Sequence, residues 1–391
     1  MMTTNNPRAG IYIHIPFCVR KCIYCDFLSF PGCPETQIRS YFQALERECR
    51  VLQQLSEKSF QDILPADTLF IGGGTPSAVS PAYLSGLIPL LPLTDNAEIT
   101  VEANPGTLNR ERLEHYRAGG INRLSLGVQS FHDGELAFLG RIHDCREAIR
   151  SFREARAAGF RNISLDLIFG FPGQTLRSWQ ETLRTAVELE PEHLSFYSLQ
   201  IEEGTPLYRM FREDQVEQIP DELNREMYYE ALRVLSEAGY EHYEISNAAR
   251  PGRRCRHNMK YWTMAPYFGL GAGAHSFVQG TRYAAPDTVE EYQDLTTKME
   301  QSGEYFTVRG GALSVSSPAD LMSDFMFTGL RLTEGISICE FERRFEVNFR
   351  EYYREALDRH LEDGTMVLKD GFLRFTEKGL DVSNYILIDF I

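Results

Sequence analysis

The chain has 391 residues, with 40 Lys or Arg against 55 Asp or Glu, which gives a formal net charge of −15. Hydrophobic residues make up 43% and charged residues 24%, so the composition is that of a globular protein and excludes a disordered, collagen-like or coiled-coil chain. The acidic balance offers no net positive field to attract phosphates, which argues against a dedicated nucleic-acid binder.

The beginning of the chain carries no targeting signal that we recognise. The first ten residues lack the apolar core of a signal peptide, and the uncharged stretch 68–94 is interrupted by eight Gly and Pro residues. We therefore expect neither export nor a transmembrane span. The eight cysteines of such a chain favour free thiols or metal ligands over a disulfide framework. We expect a cytoplasmic protein, with peripheral contact at the inner face of the membrane left open.

Six short apolar, β-branched runs alternate with segments of helical period. They are Ile11–Ile15, Thr68–Ile71, Glu98–Glu102, Arg123–Val128, Asn162–Ile168 and His193–Leu199. Strands that alternate with helices predict parallel βαβ units, which form a full or partial barrel or an open, doubly wound sheet. In either case functional residues should lie at the C-terminal ends of the strands.

A cysteine-rich loop follows the first predicted strand. Cys18, Cys22 and Cys25 have the spacing Cys-x3-Cys-x2-Cys, and three thiolates can hold three irons of a 4Fe–4S cluster while the fourth iron stays open. The alternatives are a zinc site completed by His14 or Cys33, or three unrelated thiols. Zinc sites usually pair two Cys-x2-Cys units and the chain has no second unit, so the sequence favours iron–sulfur.

Glycines and polar residues close the later strands. The second strand runs into Gly72-Gly73-Gly74-Thr75, where the backbone can approach a ligand closely or simply turn. The polar residues that end the following strands, or lie within or just beyond them, are Glu102, Gln129, Arg141 and Asp166. A charge in an apolar strand needs a partner or a ligand. An internal network, such as Arg141 with Glu102, is the alternative for any one residue, but the set on one face favours a ligand site.

The pattern changes after about residue 240, and we divide the chain into a core, 1–240, an extension, 241–315, and a C-terminal unit, 316–391. The extension carries the hexapeptide His257-Asn258-Met259-Lys260-Tyr261-Trp262. The C-terminal unit is predicted to contain three helices and a β-hairpin; these are Leu321–Leu332, Glu340–Phe345, Tyr352–Leu361, and the strands Met366–Lys369 and Phe372–Phe375. This order is typical of a winged-helix-like α+β module, for which mixed charge favours a capping or docking role over DNA binding.

These motifs resemble the radical SAM superfamily, whose signature is Cys-x3-Cys-x2-Cys, and within it the coproporphyrinogen III dehydrogenase-like (HemN/HemW) group. The resemblance covers roughly residues 12–200, with the motifs in order, and the C-terminal unit. It implies an α/β fold, a partial (β/α)6 barrel with a small C-terminal domain. It also implies a 4Fe–4S cluster on Cys18, Cys22 and Cys25, whose open iron is chelated by the amino and carboxylate groups of S-adenosylmethionine (SAM).

The resemblance also implies which residues surround SAM. Carried over residue by residue, they are Tyr12, Tyr24, Gly73, Gly74, Thr75, Glu102, Gln129, Arg141 and Asp166. Tyr12 would lie beside the cluster, Tyr24 near the adenine or as a shield of the cluster, and Thr75 near the amino group. Arg141 would pair with the carboxylate of SAM, Glu102 would lie near its amino end, and Gln129 and Asp166 near the ribose hydroxyls.

Three features separate the chain from the dehydrogenases of this group. Phe27 stands where those enzymes carry a further cysteine, only 17 residues precede Cys18, and the hexapeptide fits the His-Asn-x-x-Tyr-Trp motif of HemW proteins. HemW proteins are regarded as chaperones that bind haem and deliver it to respiratory enzymes. The resemblance thus implies a SAM- and cluster-binding haem chaperone. The alternative is an oxygen-independent coproporphyrinogen III dehydrogenase or another radical SAM enzyme acting on a tetrapyrrole.

The same resemblance implies that His257 ligates haem, because a neutral imidazole binds haem iron and Tyr261 and Trp262 could flank a porphyrin. A satisfied loop packed under the barrel is the alternative. Cys255 and His275 rank below His257 as competing ligands, and the arginines that could pair with haem propionates are Arg253, Arg254 and Arg256.

The expected partners follow from this function. They are haem and the respiratory proteins that accept it, with transient contact at the membrane during delivery and no nucleic acid. No catalytic residue is assigned. Productive cleavage of SAM, covalent or non-covalent attachment of haem, and the oligomeric state, a homodimer included, are left open.

Overall fold

The computed structural model describes residues 7–306 and 314–391. In chain order the strands of these ranges are β1 (Gly10–Ile15), β2 (Phe17–Cys18), β3 (Phe30–Pro31), β4 (Ala66–Gly73), β5 (Leu93–Ala103), β6 (Arg123–Gln129), β7 (Ile163–Phe169), β8 (His193–Ser198), β9 (Glu241–Glu244), β10 (Asn247–Ala249), β11 (Tyr267–Leu270), β12 (His275–Val278), β13 (Thr281–Ala284), β14 (Ser314–Val315), β15 (Ile336–Ser337), β16 (Met366–Lys369) and β17 (Phe372–Phe375).

The helices of the same ranges lie between these strands and after them. They are α1 (Glu35–Lys58), α2 (Pro81–Leu87), α3 (Arg110–Ala118), α4 (Asp133–Phe138), α5 (Cys145–Ala157), α6 (Leu176–Glu188), α7 (Pro206–Arg212), α8 (Asp221–Glu237), α9 (Arg256–Trp262), α10 (Val289–Ser302), α11 (Pro318–Gly329), α12 (Ile338–Phe345), α13 (Phe349–Tyr352), α14 (Arg354–Glu362), α15 (Glu377–Asp381) and α16 (Ser383–Ile388). Among these helices, none combines the length and the apolar character that crossing a bilayer requires.

The main sheet of the described chain has twelve strands in the order β14-β13-β12-β11-β1-β4-β5-β6-β7-β8-β10-β9. Its centre is the predicted set of six parallel strands, β1 and β4 to β8, in chain order. The predicted α/β core is therefore confirmed. Strand β11 adds to this set in parallel beside β1, and antiparallel strands extend both edges. The sheet is thus open at β14 and β9, and the extension supplies strands to both sides of the core.

The register of the parallel strands brings their ends to two opposite edges. At one edge Ile15 lies opposite Gly73, and at the same level Ala103 of β5 lies opposite Leu126 of β6. We call this the carboxyl edge, because β1 and β4 to β8 end there. Gly10 and Thr68 face each other near the start of β1 and β4, at the amino edge. The loops that follow the parallel strands therefore meet at the carboxyl edge, as predicted.

Helices cover the sheet because each has one apolar face. Helix α6 starts with a capping box between Thr175 and Ser178 and buries Trp179 completely against the sheet. The indole Nε1 of Trp179 donates a 2.8 Å hydrogen bond to the carbonyl of Met227 in α8, which satisfies its polar atom in the core. Truncating such a buried aromatic side chain costs about 3–5 kcal/mol, so the helix layer holds the sheet firmly.

The C-terminal unit departs from its predicted boundaries in three places, one of which is helix α12, which begins at Ile338 and not at the predicted Glu340. Helix α11 begins and ends three residues earlier than the predicted 321–332, because Ser317 and Asp320 form a capping box and Pro318 occupies the first turn. The predicted helix 352–361 is two helices, α13 and α14, separated at Tyr353, whose φ of −106° and ψ of 27° are not helical.

The predicted hairpin of this unit is confirmed. Strands β16 and β17 pair antiparallel, and Asp370 and Gly371 turn between them with φ of 53° and 81°. Strand β15 adds on the other side of β17, which gives a three-stranded sheet in the described residues. The apolar core of this unit continues into the extension through Met264 and Phe277.

Candidate functional site

A cavity of about 360 Å³ opens at the carboxyl edge of the sheet. All residues predicted to hold the cluster or SAM line it, except Tyr12; they are Cys18, Cys22, Tyr24, Cys25, Gly73, Gly74, Thr75, Glu102, Gln129, Arg141 and Asp166. These residues come from loops and strand ends spread over about 150 positions of the chain. The fold therefore brings the separate motifs of the sequence to one place.

The cysteine loop lies over the ends of β1 and β4. It is held at its base by the pairing of β2 with β3, and all three cysteines are half-buried free thiols. The Thr75 hydroxyl donates to Cys18 Sγ at 3.4 Å, and Arg141 Nη1 donates to Cys22 Sγ at 3.4 Å. Burial raises the pKa of the Cys18 and Cys25 thiols, so a metal that binds them must displace their protons.

The cysteines do not converge on a single ion. In residues 7–306 and 314–391, no three His, Cys, Asp or Glu side chains are arranged to hold one metal ion. A lone zinc needs its sulfur ligands about 2.3 Å from one point, whereas a cubane presents its irons at separate corners. Cys18, Cys22 and Cys25 all line one cavity. His14, one alternative zinc ligand, has both ring nitrogens within 2.9 Å of other partners, the Tyr12 hydroxyl and the Leu28 carbonyl.

The glycine run after β4 is required by close packing. A Cβ added to Gly74 would lie 2.9 Å from the Phe17 carbonyl oxygen and 3.0 Å from Cys18 Sγ. Gly73 has φ of 113°, and a Cβ there would lie 2.7 Å from the His14 ring. The run therefore lets the cysteine loop sit directly on the strand ends, and it exposes backbone to the cavity as well.

Glu102 ends β5 in the floor of the cavity. Its Oε2 accepts a 3.1 Å hydrogen bond from the Gly73 amide. Burial, with a smaller contribution from the charge of Asp166, raises the pKa of Glu102 to about 8, and the Gly73 amide opposes this shift. A cation that entered the cavity would favour the carboxylate form. Glu102 is thus suited to an ammonium group.

Arg141 is held by three groups of the cavity wall. Its Nη2 donates to the Gly127 carbonyl at 2.6 Å and to the side chain of Asn104, and its Nη1 donates to Cys22. Its Nε is buried and has no hydrogen-bond partner among the described residues. The alternative of a simple Arg141–Glu102 pair is not what these contacts show. An orphaned guanidinium donor in a cavity fits a ligand carboxylate.

Two further predicted residues lie on neighbouring strands, Gln129 at the end of β6 and Asp166 in the middle of β7. Gln129 has φ of 67°, a left-handed conformation that costs a non-glycine residue free energy and is common at binding sites. Asp166 accepts hydrogen bonds from Ser125, at 2.9 and 3.1 Å, and from Ser164, at 3.2 Å. Burial raises the pKa of Asp166, which the serine hydroxyls oppose.

Tyr12 lies outside the cavity lining, unlike the other predicted residues. It stands in the middle of β1, stacks against Phe70 with ring centroids 6.4 Å apart, and places its hydroxyl 2.9 Å from His14 Nδ1. Since His14 Nε2 in turn lies 2.9 Å from the carbonyl of Leu28, Tyr12 supports the cysteine loop from beneath.

Sequence reasoning missed several residues of the lining, among them Asn104 and Tyr197. Asn104 joins Arg141 to Thr75, to which its Nδ2 donates at 3.1 Å, and Tyr197 lines the cavity from the end of β8 while 42% exposed. Asn104 directly follows β5 and obeys the same strand-end rule that found Glu102. Tyr197 could not be recognised as a cavity residue from the sequence, because an aromatic residue in a strand is typical of a buried core.

His257 lies at the amino edge, opposite the cavity. It is 1% exposed in α9, with its Nδ1 2.9 Å from the Thr68 hydroxyl and its Nε2 2.9 Å from the Tyr261 hydroxyl. Burial, and then the charge of Lys260, lower the pKa of His257 to about 3, so the ring is neutral. Ligation of haem by His257 stays a prediction, and it requires that both hydrogen bonds break and the ring become exposed.

Three other haem-related residues of the sequence lie near the amino edge. Cys255 is fully buried there, and its Sγ lies 3.8 Å from Glu98. Arg254 pairs with Glu334 at 3.4 Å and Arg256 with Asp67 at 3.1 Å, and both arginine side chains are more than one-third exposed. These two arginines therefore form surface ion pairs.

Comparison with known proteins agrees with this arrangement. The model of the radical SAM superfamily matches residues 12–186, and that of the HemN C-terminal domain matches residues 316–382. The chain is 35% identical to the heme chaperone HemW of Bacillus subtilis (strain 168) over 385 residues, which are 97% of this chain and 98% of that protein. It is 41% identical to the heme chaperone HemW of Escherichia coli (strain K12) over 276 residues, 70% of this chain and 71% of that protein.

A solved structure shows the same fold. Coproporphyrinogen III oxidase (HemN) from Escherichia coli, described as a radical SAM enzyme, superposes with a TM-score of 0.80 over 100% of this chain and 91% of its own. The two sequences are 22% identical, so this likeness concerns the fold alone.

Proposed function

The chain belongs to the HemW family of the radical SAM superfamily, and from this premise we propose that it is a chaperone that binds haem and delivers it to haem-requiring respiratory proteins. The observation that carries the proposal is similarity along 97% of the chain to a heme chaperone HemW. Membership of the superfamily implies a 4Fe–4S cluster and SAM, and the cavity at the carboxyl edge has donors suited to both.

In this proposal Cys18, Cys22 and Cys25 hold the cluster and leave one iron open. In the superfamily the reduced cluster supplies an electron for reductive cleavage of SAM. The residues of this chain bind and orient SAM. Arg141, whose Nε has no partner in the described chain, would pair with its carboxylate, and Glu102 would bind its ammonium group.

The remaining cavity residues would surround the nucleoside part of SAM. Asp166 and Gln129 would bind the ribose hydroxyls, and Tyr24 would pack near the adenine while it shields the cluster from water. Gly73, Gly74 and Thr75 would offer backbone and hydroxyl groups to the amino end. Tyr12 would act from beneath through His14.

The mouth of the cavity has the chemistry of a tetrapyrrole site. Phe27, at 64% exposure, and Tyr197 present apolar rings there, beside the exposed basic side chains Arg20 and Lys21. Haem is a flat apolar macrocycle with two carboxylates, so it needs both kinds of group. Asp26 and Glu202 also line the mouth, and their charges would disfavour the propionates on their side.

We also propose a cellular location for the protein. An oxygen-sensitive cluster with an open iron needs a reducing compartment, which supports a location in the cytoplasm. The acceptors are respiratory proteins at the inner face of the membrane, so delivery requires transient peripheral contact.

The proposal is tested by titrating the anaerobically reconstituted full chain with ferric haem. We expect a Soret band that saturates at a fixed ratio of haem to protein, and loss of that band from the chaperone when a haem-free respiratory acceptor is added. In parallel, coproporphyrinogen III incubated with the same protein, SAM and a reductant should keep its propionate groups. Absence of saturable haem binding, or formation of vinyl groups, would contradict the chaperone function.

A further inference from the structure

We propose that His275 is the axial ligand through which this chain binds haem iron. The inference rests on the proposed haem-binding function, and it names the residue of the chain that contacts the iron. It differs from the prediction made from the hexapeptide, which favours His257.

The nine histidines of the chain all lie within the described ranges, and only two of them are exposed. The other seven have ring nitrogens within hydrogen-bond distance of protein groups; they are His14, His132, His143, His193, His242, His257 and His360. His115 lies in the last turn of α3, on the outer helix layer. His275 is therefore the one exposed histidine of the described chain that lies on the sheet.

The topology places His275 next to the loop that follows β11. Strand β11 runs parallel to β1, with Leu270 opposite Ile13. Strand β12 returns antiparallel, with Phe277 opposite Tyr267, and His275 is its first residue. His275 is thus level with Tyr12 in the middle of β1, and residues 271–274 before it form the loop that joins β11 to β12.

The strand register also places His275 on the same face of the sheet as Tyr12. Tyr12 lies opposite Gly269, and Tyr267 lies opposite Phe277, two residues after His275. Because side chains two residues apart share a face, His275, Phe277, Tyr267 and Tyr12 are on one side of the sheet. Gly269 lies between His275 and Tyr12 without a side chain, since a Cβ there would be 2.0 Å from the His275 carbonyl oxygen.

The loop before His275 contacts the cysteine loop directly. A Cβ added to Gly273 would lie 2.6 Å from Leu28 Cδ2, so these two loops touch where Leu28 follows the exposed ring of Phe27. An apolar ring on one loop and an exposed imidazole on the other are the two contacts that haem needs, one for the macrocycle and one for the iron. The geometry therefore offers His275 an approach to iron that the burial of His257 denies.

The experiment compares three variants of the reconstituted full chain, His275→Ala, His257→Ala and the matched exposed control His115→Ala, with His275→Gln as a second replacement. Ferric haem is titrated anaerobically, and the Soret maximum and the spin state by electron paramagnetic resonance are recorded. Both His275 variants should bind haem at least about tenfold more weakly and lose the low-field signature of an imidazole ligand, while His115→Ala behaves as the parent protein. Added free imidazole should restore that signature to His275→Ala.

The outcomes separate this inference from the function on which it rests. If the parent protein takes up no haem, the chaperone function and the ligand assignment both fail. If the parent protein binds haem and both His275 variants keep its affinity and spin state, only the His275 assignment fails. Loss of the signature in His257→Ala alone, with cluster absorbance intact, would transfer the ligand to His257.

Discussion

The two edges of the parallel sheet are both rich in polar groups, yet the residues with predicted ligand roles are buried at one edge and line a cavity at the other. At the amino edge Thr68, His257 and Tyr261 form a chain of hydrogen bonds, and Glu98 accepts from the amides of Arg256 and His257. At the carboxyl edge three cysteines and Arg141 line a cavity. A buried arginine Nε without a partner in the described chain occurs at both edges, in Arg123 and in Arg141.

This difference distinguishes a structural network from a ligand site. Buried polar groups cost free energy unless they are paired, and both ring nitrogens of His257 already have partners within the chain. Polar groups that line a cavity can gain partners from a ligand that enters it. The carboxyl edge is therefore where a ligand should bind, and the amino edge is where substitution should affect stability alone.

The largest expected effect concerns the cysteines of the carboxyl edge. Cys18→Ala, Cys22→Ala and Cys25→Ala should each lose nearly all cluster iron, because two remaining thiolates cannot hold the cubane. Cys33→Ala and Cys145→Ala serve as matched controls and should keep it. Iron and sulfide content of the anaerobically reconstituted variants measures this. Equal iron loss in Cys33→Ala would mean a fourth protein ligand and no open iron.

The next largest effect is expected on SAM affinity, when an arginine of the carboxyl edge is compared with one of the amino edge. Arg141→Gln should weaken SAM binding by about 10- to 100-fold, which corresponds to one charge-assisted hydrogen bond to a carboxylate. Arg256→Gln, at the amino edge, should leave the affinity unchanged. Anaerobic calorimetric titration of both cluster-loaded variants with SAM checks this. Similar affinities for SAM in the two variants would contradict the role of Arg141.

A pH effect follows from the raised pKa of Glu102, about 8. If Glu102 binds the ammonium group of SAM as a carboxylate, the apparent affinity should fall by up to about tenfold per pH unit as the pH drops below 8. Glu102→Gln should bind more weakly and lose the part of the pH dependence that Glu102 contributes, so the difference between the two titrations isolates this group. Parallel pH profiles for parent and variant would contradict the assignment.

The burial of Glu102 also predicts an effect on the stability of the fold, in which the carboxylate form is the unfavourable one. Because the folded pKa of Glu102 lies above its ordinary value of 4.5, ionisation destabilises the SAM-free fold progressively as the pH rises from 4.5 toward 8. At pH 8 the SAM-free Glu102→Gln variant should therefore unfold at a higher temperature than the parent. An equal or lower unfolding temperature would mean that the carboxylate is better solvated than its burial indicates.

The smallest effect on binding is expected at the amino edge. Thr68→Val removes a hydrogen-bond partner of His257 while keeping the shape, and should cost about 1–2 kcal/mol in the free energy of unfolding. Cluster content and SAM affinity should stay at parental values. A loss of SAM binding in Thr68→Val would show that the two edges are coupled, and the comparison would no longer hold.

Much of the carboxyl edge could be predicted from the sequence, because its signals are local. The Cys-x3-Cys-x2-Cys spacing lies within eight residues, and Glu102 and Gln129 stand at the ends of strands whose apolar runs are plain. Parallel topology then brings strand ends together without further information. Asn104 follows the same rule, but a neutral amide after a strand is a weaker signal than a charge within one.

The amino edge could not be predicted in the same way. The burial of His257 depends on the contact of α9 with Thr68, 189 positions earlier in the chain. No local pattern reports such a contact, so the hexapeptide is equally compatible with an exposed ligand and with a packed helix. The position of β11 beside β1, which brings the loop before His275 to the cysteine loop, is non-local for the same reason.

The central claim is that three cysteines hold a 4Fe–4S cluster and leave one iron free for SAM. Electron paramagnetic resonance of the reduced, anaerobically prepared protein tests this claim most directly. Spectra are recorded before and after addition of SAM. We predict a 4Fe–4S signal whose g values change when SAM is added and which is absent from Cys22→Ala. A signal whose g values do not change when SAM is added, or a preparation whose cysteines hold zinc, would contradict a cluster with an open iron.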